Sequence, residues 1–323
     1  MKAAIFDRHG PAREVLRVTE IDRPEPGPGQ VRVRVRVSGV NPTDWKSRSG
    51  ATPRPMDGFQ IPHHDGAGEI DAVGPGVPPA RVGQRVWVWL AAAGQRWGTA
   101  AQWTVVPQEQ AVPLPDGASL DIGASLGVPA LTAYRCLFTD GRVHSKNVLV
   151  AGGAGAVGHF AIELAKHDGG RVLATVSGPE KAALAGKAGA DQVVNYRDSD
   201  AVDQVRSFAE RFERVVEVAL GANLSLDLAV AGPETVIVTY AAEANDPILP
   251  VRACMTANVM LRFVLIYGVP RPWLAPAAQA VTAVLAAGAL TELPVHRFPL
   301  GEIVAAHEAA EAGVVGKILI DIP

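Results

Sequence analysis

Apolar and polar positions change their rhythm along the 323 residues of this chain. In the first 115 or so residues, apolar positions come in short runs broken by proline and glycine. Residues 31–37 alternate valine with arginine, the period of a strand with one buried and one wet face. Residues 67–73 and 85–90 predict further strands, and the opening Met1-Lys2-Ala3-Ala4-Ile5-Phe6-Asp7 predicts the first. Residues 24–29 and 74–79, rich in proline and glycine, predict turns. From about residue 120 the pattern alternates. Strands are expected at 147–151, 171–176, 192–195, 214–218 and 235–240, with helices at 156–167, 179–186, 200–211 and near 223–230 between them. Such a βαβ series implies a parallel sheet with helices on both faces. A further apolar run, 259–267, reads as one more strand. The tail predicts helices near 277–287 and 300–312 and a last strand at 317–320.

Composition narrows the class. Thirty basic and 33 acidic residues leave a formal net charge of −3, which is no footprint for nucleic acid or an anionic membrane. That balance also favours a wet strand face over a nucleic-acid surface for the arginines of 31–37. Two cysteines, Cys136 and Cys254, cannot build a disulfide framework or a four-cysteine zinc knot. No apolar run reaches the ~18–20 residues of a membrane span, and the apolar start is too short for a signal peptide. A cytoplasmic globular protein is expected.

The chemistry concentrates in one loop. Gly153-Ala154-Gly155-Ala156-Val157-Gly158 is a G-x-G-x-x-G, placed directly after a predicted strand and opening a predicted helix. That context gives the motif its meaning: glycines let a pyrophosphate approach the backbone, and the helix N-terminus supplies N–H groups and partial positive charge. An NAD site wants an acid at the end of the second strand to hold the ribose hydroxyl. Here that strand ends Ala174-Thr175-Val176-Ser177-Gly178. Ser177 can donate a hydrogen bond and Lys181 can pair with a phosphate, which suits a 2′-phosphate and so NADPH; Lys181 also reads as an ordinary solvated helix lysine.

These features, with several others in order, make the chain resemble the medium-chain dehydrogenases/reductases, in the zinc-independent quinone oxidoreductase (zeta-crystallin-like) branch. The resemblance is carried by Ser38-Gly39-Val40-Asn41-Pro42-Thr43-Asp44, His63-His64-Asp65-Gly66-Ala67-Gly68-Glu69-Ile70, Val82-Gly83-Gln84-Arg85-Val86, Leu131-Thr132-Ala133-Tyr134, the glycine loop, Gly189-Ala190-Asp191, Asn195-Tyr196-Arg197 and Gly316-Lys317-Ile318. It implies an α/β fold: a GroES-like β-rich catalytic domain at 1–125, completed by 267–323, and a doubly wound Rossmann domain at 126–266 with the active site in the cleft. It also implies a dimer or tetramer in which the edge strand that begins at Val259 and ends at Tyr267 pairs across subunits, and because an open apolar edge must be covered a homodimer is expected.

Where zinc-dependent members of that superfamily carry cysteine ligands, this chain matches Asn41 and Val128, and only His64 remains. One imidazole cannot make a site that needs three protein ligands. His63 and His64, neighbours on an extended strand, do not converge either. Without a Lewis acid, the accessible chemistry is hydride delivery to an activated acceptor, a quinone or another α,β-unsaturated carbonyl. The expected catalytic residues are Asn41, holding the nicotinamide ribose or the acceptor carbonyl; Asp44, orienting it; and Thr132, near the nicotinamide. Asn41 to Asp44 fit an Asx turn before a helix equally well, and Thr132 fits a helix packed on the sheet. Tyr196 is expected beside Lys181, and Tyr240 and Tyr267, ending two predicted strands, complete the cofactor set. Lys46 and Thr52 stand where some bacterial relatives have tyrosines. Three functions remain open: a quinone reductase, an enone or enoyl reductase acting on a biosynthetic intermediate, and an NADPH-binding structural or sensing protein.

Overall fold

The valine–arginine alternation forms the strand Gln30–Val40, an inner member of a mixed sheet, antiparallel to each of its own neighbours. Its valines are buried while Arg34 and Arg36 are exposed. Arg32 departs from the expected wet face: it is buried and bonds to Asp71 at 2.8 Å and Glu25 at 2.7 Å. A buried guanidinium persists because carboxylates meet it there. The computed structural model describes residues 1–243 and 245–323.

The chain forms two compact units. The first comprises Met1–Val128, Ala278–Ala286 and Pro294–Pro323; the second comprises Pro129–Ala277 and Ala287–Leu293. The boundaries expected at 125/126 and 266/267 thus stand against divisions at 128/129 and, on the return, at 277/278. In the first unit seven strands pair in the order Val295–Pro299, Lys317–Asp321, Gln30–Val40, Asp65–Val73, Arg85–Val88 and Ala111–Pro113, with Trp103–Pro107 also on Gln30–Val40. The ladder opposes Gly39 to Asp65 on one side and to Leu319 on the other. The end of Gln30–Val40 therefore meets the starts of both neighbours, and this convergence positions the site.

The second unit holds a parallel six-stranded sheet in the order Gln192–Asn195, Arg171–Val176, Asn147–Ala151, Arg214–Glu217, Val236–Thr239 and Met260–Phe263. This is the doubly wound order, whose strand sequence reverses beside Asn147–Ala151, where ligands of such sheets sit. Leu149, Leu173, Val215 and Ile237 pack with Phe212, Leu220 and Leu224 to form its core. Strands buried on both faces explain why these segments read as continuous apolar runs.

The expected strand 259–267 is shorter than its apolar run. It spans Met260–Phe263 and is followed by a 3₁₀ turn at Ile266–Gly268. Its partner Val236–Thr239 ends there, and the Val264 N–H to Thr239 carbonyl bond at 2.9 Å is the last rung. Hydrophobicity continued, but the ladder did not. The strand does lie at the sheet edge. Among the described residues, no helix is long and apolar enough to cross a membrane.

Candidate functional site

Asn41 follows the strand Gln30–Val40 and caps the helix Pro42–Ser49, with proline at the first helical position where its missing N–H costs nothing. The Asp44 carboxylate accepts the Asn41 backbone N–H at 2.7 Å, and the Asp44 N–H donates to the Asn41 carbonyl at 3.0 Å. The chain thus turns into the helix through the Asn41 main chain and the Asp44 side chain, and the Asn41 amide has further partners. That amide is 3% exposed. Its Nδ2 donates to Asp65 Oδ2 at 2.7 Å, and its Oδ1 accepts from Lys317 Nζ at 2.8 Å. One donor and one acceptor position of the amide remain.

Asp65 and Lys317 were not singled out from the sequence, although both lie inside motifs that were. Asp65 is fully buried and accepts the Val128 N–H with both oxygens at 2.9 Å. Helix Leu120–Phe138 contains Pro129, which has no N–H to offer, and the Val128 N–H beside it is held by this carboxylate. Gly127 makes room, since a Cβ there would lie 2.1 Å from Asp65 Oδ1. Lys317 stands 3.9 Å from Asp65. Burial raises Asp44 to about 7 and Asp65 to about 6; for Asp65 the ammonium of Lys317 and the Asn41 bond act in the opposite direction. Burial lowers Lys317, against the pull of Asp65 and Asp44.

His63 is not on an extended strand. Its φ is +76°, and the strand begins only at Asp65. The backbone turn sends the two imidazoles different ways. His63 Nδ1 meets Ser38 Oγ at 2.8 Å and its Nε2 meets His307 Nε2 at 3.0 Å, the rings stacked 5.2 Å apart. His64 Nε2 accepts from Arg54 Nη1 at 3.1 Å. Burial pushes both imidazoles down, His64 to about 3, so both are neutral at pH 7. A pocket of ≈30 Å³ is lined by Asp44, Arg54, Met56, His63 and His64 among others. Among the described residues, no group of three or more His, Cys, Asp or Glu is placed to hold a metal ion.

In the second unit the glycine loop joins strand Asn147–Ala151 to helix Ala156–His167. The left-handed residue is Gly152, φ +72°, one position before the motif as read from the sequence. A Cβ on Gly158 would lie 2.3 Å from the Gly152 carbonyl oxygen, so only glycine lets the helix pass this close. The Gly155 N–H returns to the Gly152 carbonyl at 2.9 Å, and the helix N-terminus has no side-chain cap. Ala154, Ala156 and Val157 complete this turn and first helical residues.

At the end of Arg171–Val176, Lys181 Nζ donates to Ser177 Oγ at 3.0 Å. The two expected phosphate-reading residues are thus side by side. Tyr196 follows the neighbouring strand Gln192–Asn195, is 46% exposed, and sends its N–H to the Val176 carbonyl at 3.0 Å. Tyr240 follows Val236–Thr239 and is buried enough that its phenol is pushed up. Tyr267 lies in the 3₁₀ turn, not at a strand end. Thr132 is buried on helix Leu120–Phe138.

Sequence reasoning also missed a buried carboxyl pair. Glu217 ends strand Arg214–Glu217, and Asp227 lies on helix Leu220–Ala229. Glu217 Oε1 accepts the Ala219 N–H and Asn223 Nδ2, the latter at 2.9 Å. Burial, reinforced by the Glu217 charge, raises Asp227 to about 8. Between about pH 4 and 8 the folded state therefore keeps a proton that an unfolded aspartate has lost, so stability falls as pH rises through that window, by about 1.4 kcal/mol per unit. Asp227→Asn removes this titration and keeps a donor for Glu217. Its urea midpoint should gain on the wild type between pH 5 and 8; parallel pH profiles would contradict the shared proton.

Comparison with known proteins gives consistent matches. Residues 27–116 match the alcohol dehydrogenase GroES-like domain and residues 156–283 the zinc-binding dehydrogenase family. Human quinone oxidoreductase is 27% identical over 322 residues, covering 98% of this chain and 96% of that one. A mycobacterial protein solved complexed with NADPH aligns with TM-score 0.86 at 28% identity, over 99% of each chain. The cobalt- and zinc-bound thermostable alcohol dehydrogenase of Pyrobaculum aerophilum aligns with TM-score 0.84 at 28% identity, again over 99% of each. The two-part architecture, a GroES-like β-rich domain with a doubly wound Rossmann sheet, is the one expected.

Proposed function

We propose that this chain, which belongs to the medium-chain dehydrogenase/reductase superfamily and is a quinone oxidoreductase-like oxidoreductase, uses NADPH to reduce a quinone or another α,β-unsaturated carbonyl without a metal ion. The observation that carries the cofactor reading is the glycine loop at the switch of strand order, with Ser177 and Lys181 joined at the end of the next strand. Gly158 lets the helix pack tightly against Gly152, while a Cβ on Gly155 would meet only the Gly152 carbonyl oxygen, at 3.4 Å, so the loop backbone is otherwise open at that position. Gly153, Ala154, Gly155, Ala156, Val157 and Gly158 would hold the pyrophosphate. Ser177 and Lys181 would hold the 2′-phosphate, with Tyr196, Tyr240 and Tyr267 around the rest. Bound there, NADPH supplies the hydride.

The chain's own residues do the remaining work. Asp44 fixes the Asn41 backbone, and Asp65 and Lys317 fix its amide plane, so its remaining hydrogen-bonding positions are aimed before a ligand arrives. Asp44 lines the pocket and is half protonated near neutrality, which suits it to give a proton to the reduced acceptor's oxygen. Thr132 contributes a hydroxyl on the nicotinamide side. Metal independence is supported by what the ligand positions do instead: Asn41 is bonded to Asp65 and Lys317, His64 to Arg54, and Val128 offers only an alkyl group. A homodimer joined at Met260–Phe263 is supported by the edge position of that strand and by Phe263 and Leu265, which are 72% and 67% exposed.

The test is NADPH consumption with a panel of quinones, enones and enoyl thioesters, repeated after chelation. Turnover with at least one class, unchanged by chelator, is expected; no turnover with any would refute the reading. Lys181→Ala should weaken NADPH about tenfold or more and NADH little, since one charge-assisted phosphate contact is lost. Equal losses for both cofactors would show that Lys181 does not read the 2′-phosphate.

A further inference from the structure

His63 holds a backbone conformation that is costly for a residue with a side chain, φ +76°, just before the strand that begins at Asp65. Such a turn persists only where its surroundings over-determine it, and here they do. The His63 carbonyl accepts the Thr99 N–H at 3.1 Å. Both ring nitrogens are bonded, Nδ1 to Ser38 on strand Gln30–Val40 and Nε2 to His307 on helix Ile303–Glu311. Ser38, His63, Thr99 and His307 are all fully buried. The reaction chemistry above uses none of the four.

The direction of each hydrogen bond in this row is set from its far end. The Thr99 hydroxyl donates to the Asp65 carbonyl at 2.5 Å. Its one hydrogen is then spent, so it accepts from Ser38 Oγ at 2.7 Å. Ser38 in turn accepts from His63 Nδ1 at 2.8 Å. Burial keeps both imidazoles uncharged, and the Arg48 guanidinium adds to the effect on His307. A neutral ring carries one N–H, so His63 Nε2 is bare and accepts from His307 Nε2 at 3.0 Å. His307 Nδ1 is then bare as well, and it has no hydrogen-bond partner among the described residues. The reverse order would leave the Ser38 and Thr99 oxygens 2.7 Å apart with no hydrogen between them.

The row ends on the residue that fixes Asn41. The Asp65 carbonyl takes the Thr99 hydroxyl, while its carboxylate takes the Asn41 amide and the Val128 N–H. Gly66 admits Thr99 here, since a Cβ on it would lie 2.9 Å from Thr99 Cγ2. We infer that His307 is a positioning residue for the reaction: through a one-way row of hydrogen bonds, His307 to His63 to Ser38 to Thr99, it holds the His63 turn and with it the Asp65 carboxylate that sets the Asn41 amide. This rests on the reductase reading above and adds to it a residue drawn from the far end of the chain, 244 positions after His63.

Two variants and two readouts test it. His307→Leu removes the donor and keeps an apolar body, and His307→Gln offers an amide N–H where Nε2–H stood. The leucine variant should lose about tenfold or more in kcat, the scale of a small misplacement at a reacting centre, with NADPH affinity by fluorescence titration unchanged. The glutamine variant should recover most of that loss. Far-UV circular dichroism confirms that each is folded; should His307→Leu not fold, Ser38→Ala breaks the same row and is judged by the same criteria. The second readout needs no turnover. Long-range proton–nitrogen spectra of histidine-labelled wild type should show His63 with its proton on Nδ1 and His307 with its proton on Nε2. The amide proton of Val128, which reports the Asp65 carboxylate, should move in His307→Leu and return in His307→Gln. The opposite tautomers overturn the row. Wild-type kcat in His307→Leu overturns the positioning role, and so do equal losses in the leucine and glutamine variants. If the wild type oxidises NADPH with no acceptor at all, the reductase reading fails, and the tautomers with the Val128 resonance still decide the row.

Discussion

Asp65→Ala should cost the protein about 3–5 kcal/mol of stability, the usual penalty for removing one partner of a buried ion pair. Asp65 accepts from Asn41 and from Val128, and it faces Lys317. Its removal leaves a buried ammonium with the Asn41 amide oxygen and the more weakly coupled Asp44, and takes the carboxylate acceptor from the Val128 N–H beside Pro129. Neither group can reach water without opening the sheet end. Tryptophan fluorescence during urea unfolding is the measurement, because Trp45, Trp87, Trp89, Trp97 and Trp103 belong to the first unit and only Trp273 to the second. Adding Lys317→Met should recover a good part of the loss, since an apolar chain of similar length leaves no orphaned charge. A loss below about 1 kcal/mol for Asp65→Ala would mean that water enters the cluster and that it is not the dry network described.

Asn41→Ala should lower turnover by about 10²-fold, the scale on which an orienting contact matters once it is lost. Its effect on NADPH affinity should be small by comparison, because the glycine loop and the Ser177–Lys181 pair belong to a different part of the chain. Steady-state kcat beside fluorescence titration of NADPH separates the two quantities. Thermal unfolding must accompany them, since Asn41 also bridges Asp65 and Lys317. Wild-type rates with quinones and enones would reduce Asn41 to a turn former and shift the orienting role to Thr132.

Sequence reasoning reached the second unit more fully than the first, for a physical reason. Parallel strands such as Asn147–Ala151 and Arg171–Val176 are buried on both faces and alternate with amphipathic helices, so each element announces itself within a dozen residues. The glycine loop is likewise local, although its left-handed position fell on Gly152, outside the literal motif. In the first unit the decisive contacts are non-local. Nothing near Lys317 in the chain reveals that its strand lies beside Gln30–Val40, or that its ammonium meets Asn41. Patterning rules place charges outside, so they pass over Asp65, Arg32 and the Glu217–Asp227 pair, where partners or shared protons make burial tolerable. Lys317 did leave a trace: it opens a run, Lys-Ile-Leu-Ile, whose four members are all buried. His63 escaped because only its positive φ shows that the two histidines part.

The place of strand Lys317–Asp321 within its sheet bears on the order in which the protein is made. It is an inner strand, between Val295–Pro299 and Gln30–Val40, and it is translated after every strand of the second unit's sheet. All six strands of the second unit's sheet lie between Asn147 and Phe263, so that unit has its full set of strands while synthesis continues at ~5–20 residues per second. During that interval the free edge of Gln30–Val40 and the polar side chains at its end await a strand not yet translated. The nascent chain therefore passes through a stage in which the second unit's strands are all made while the first unit lacks an inner strand, and it gains Lys317 only after that stage.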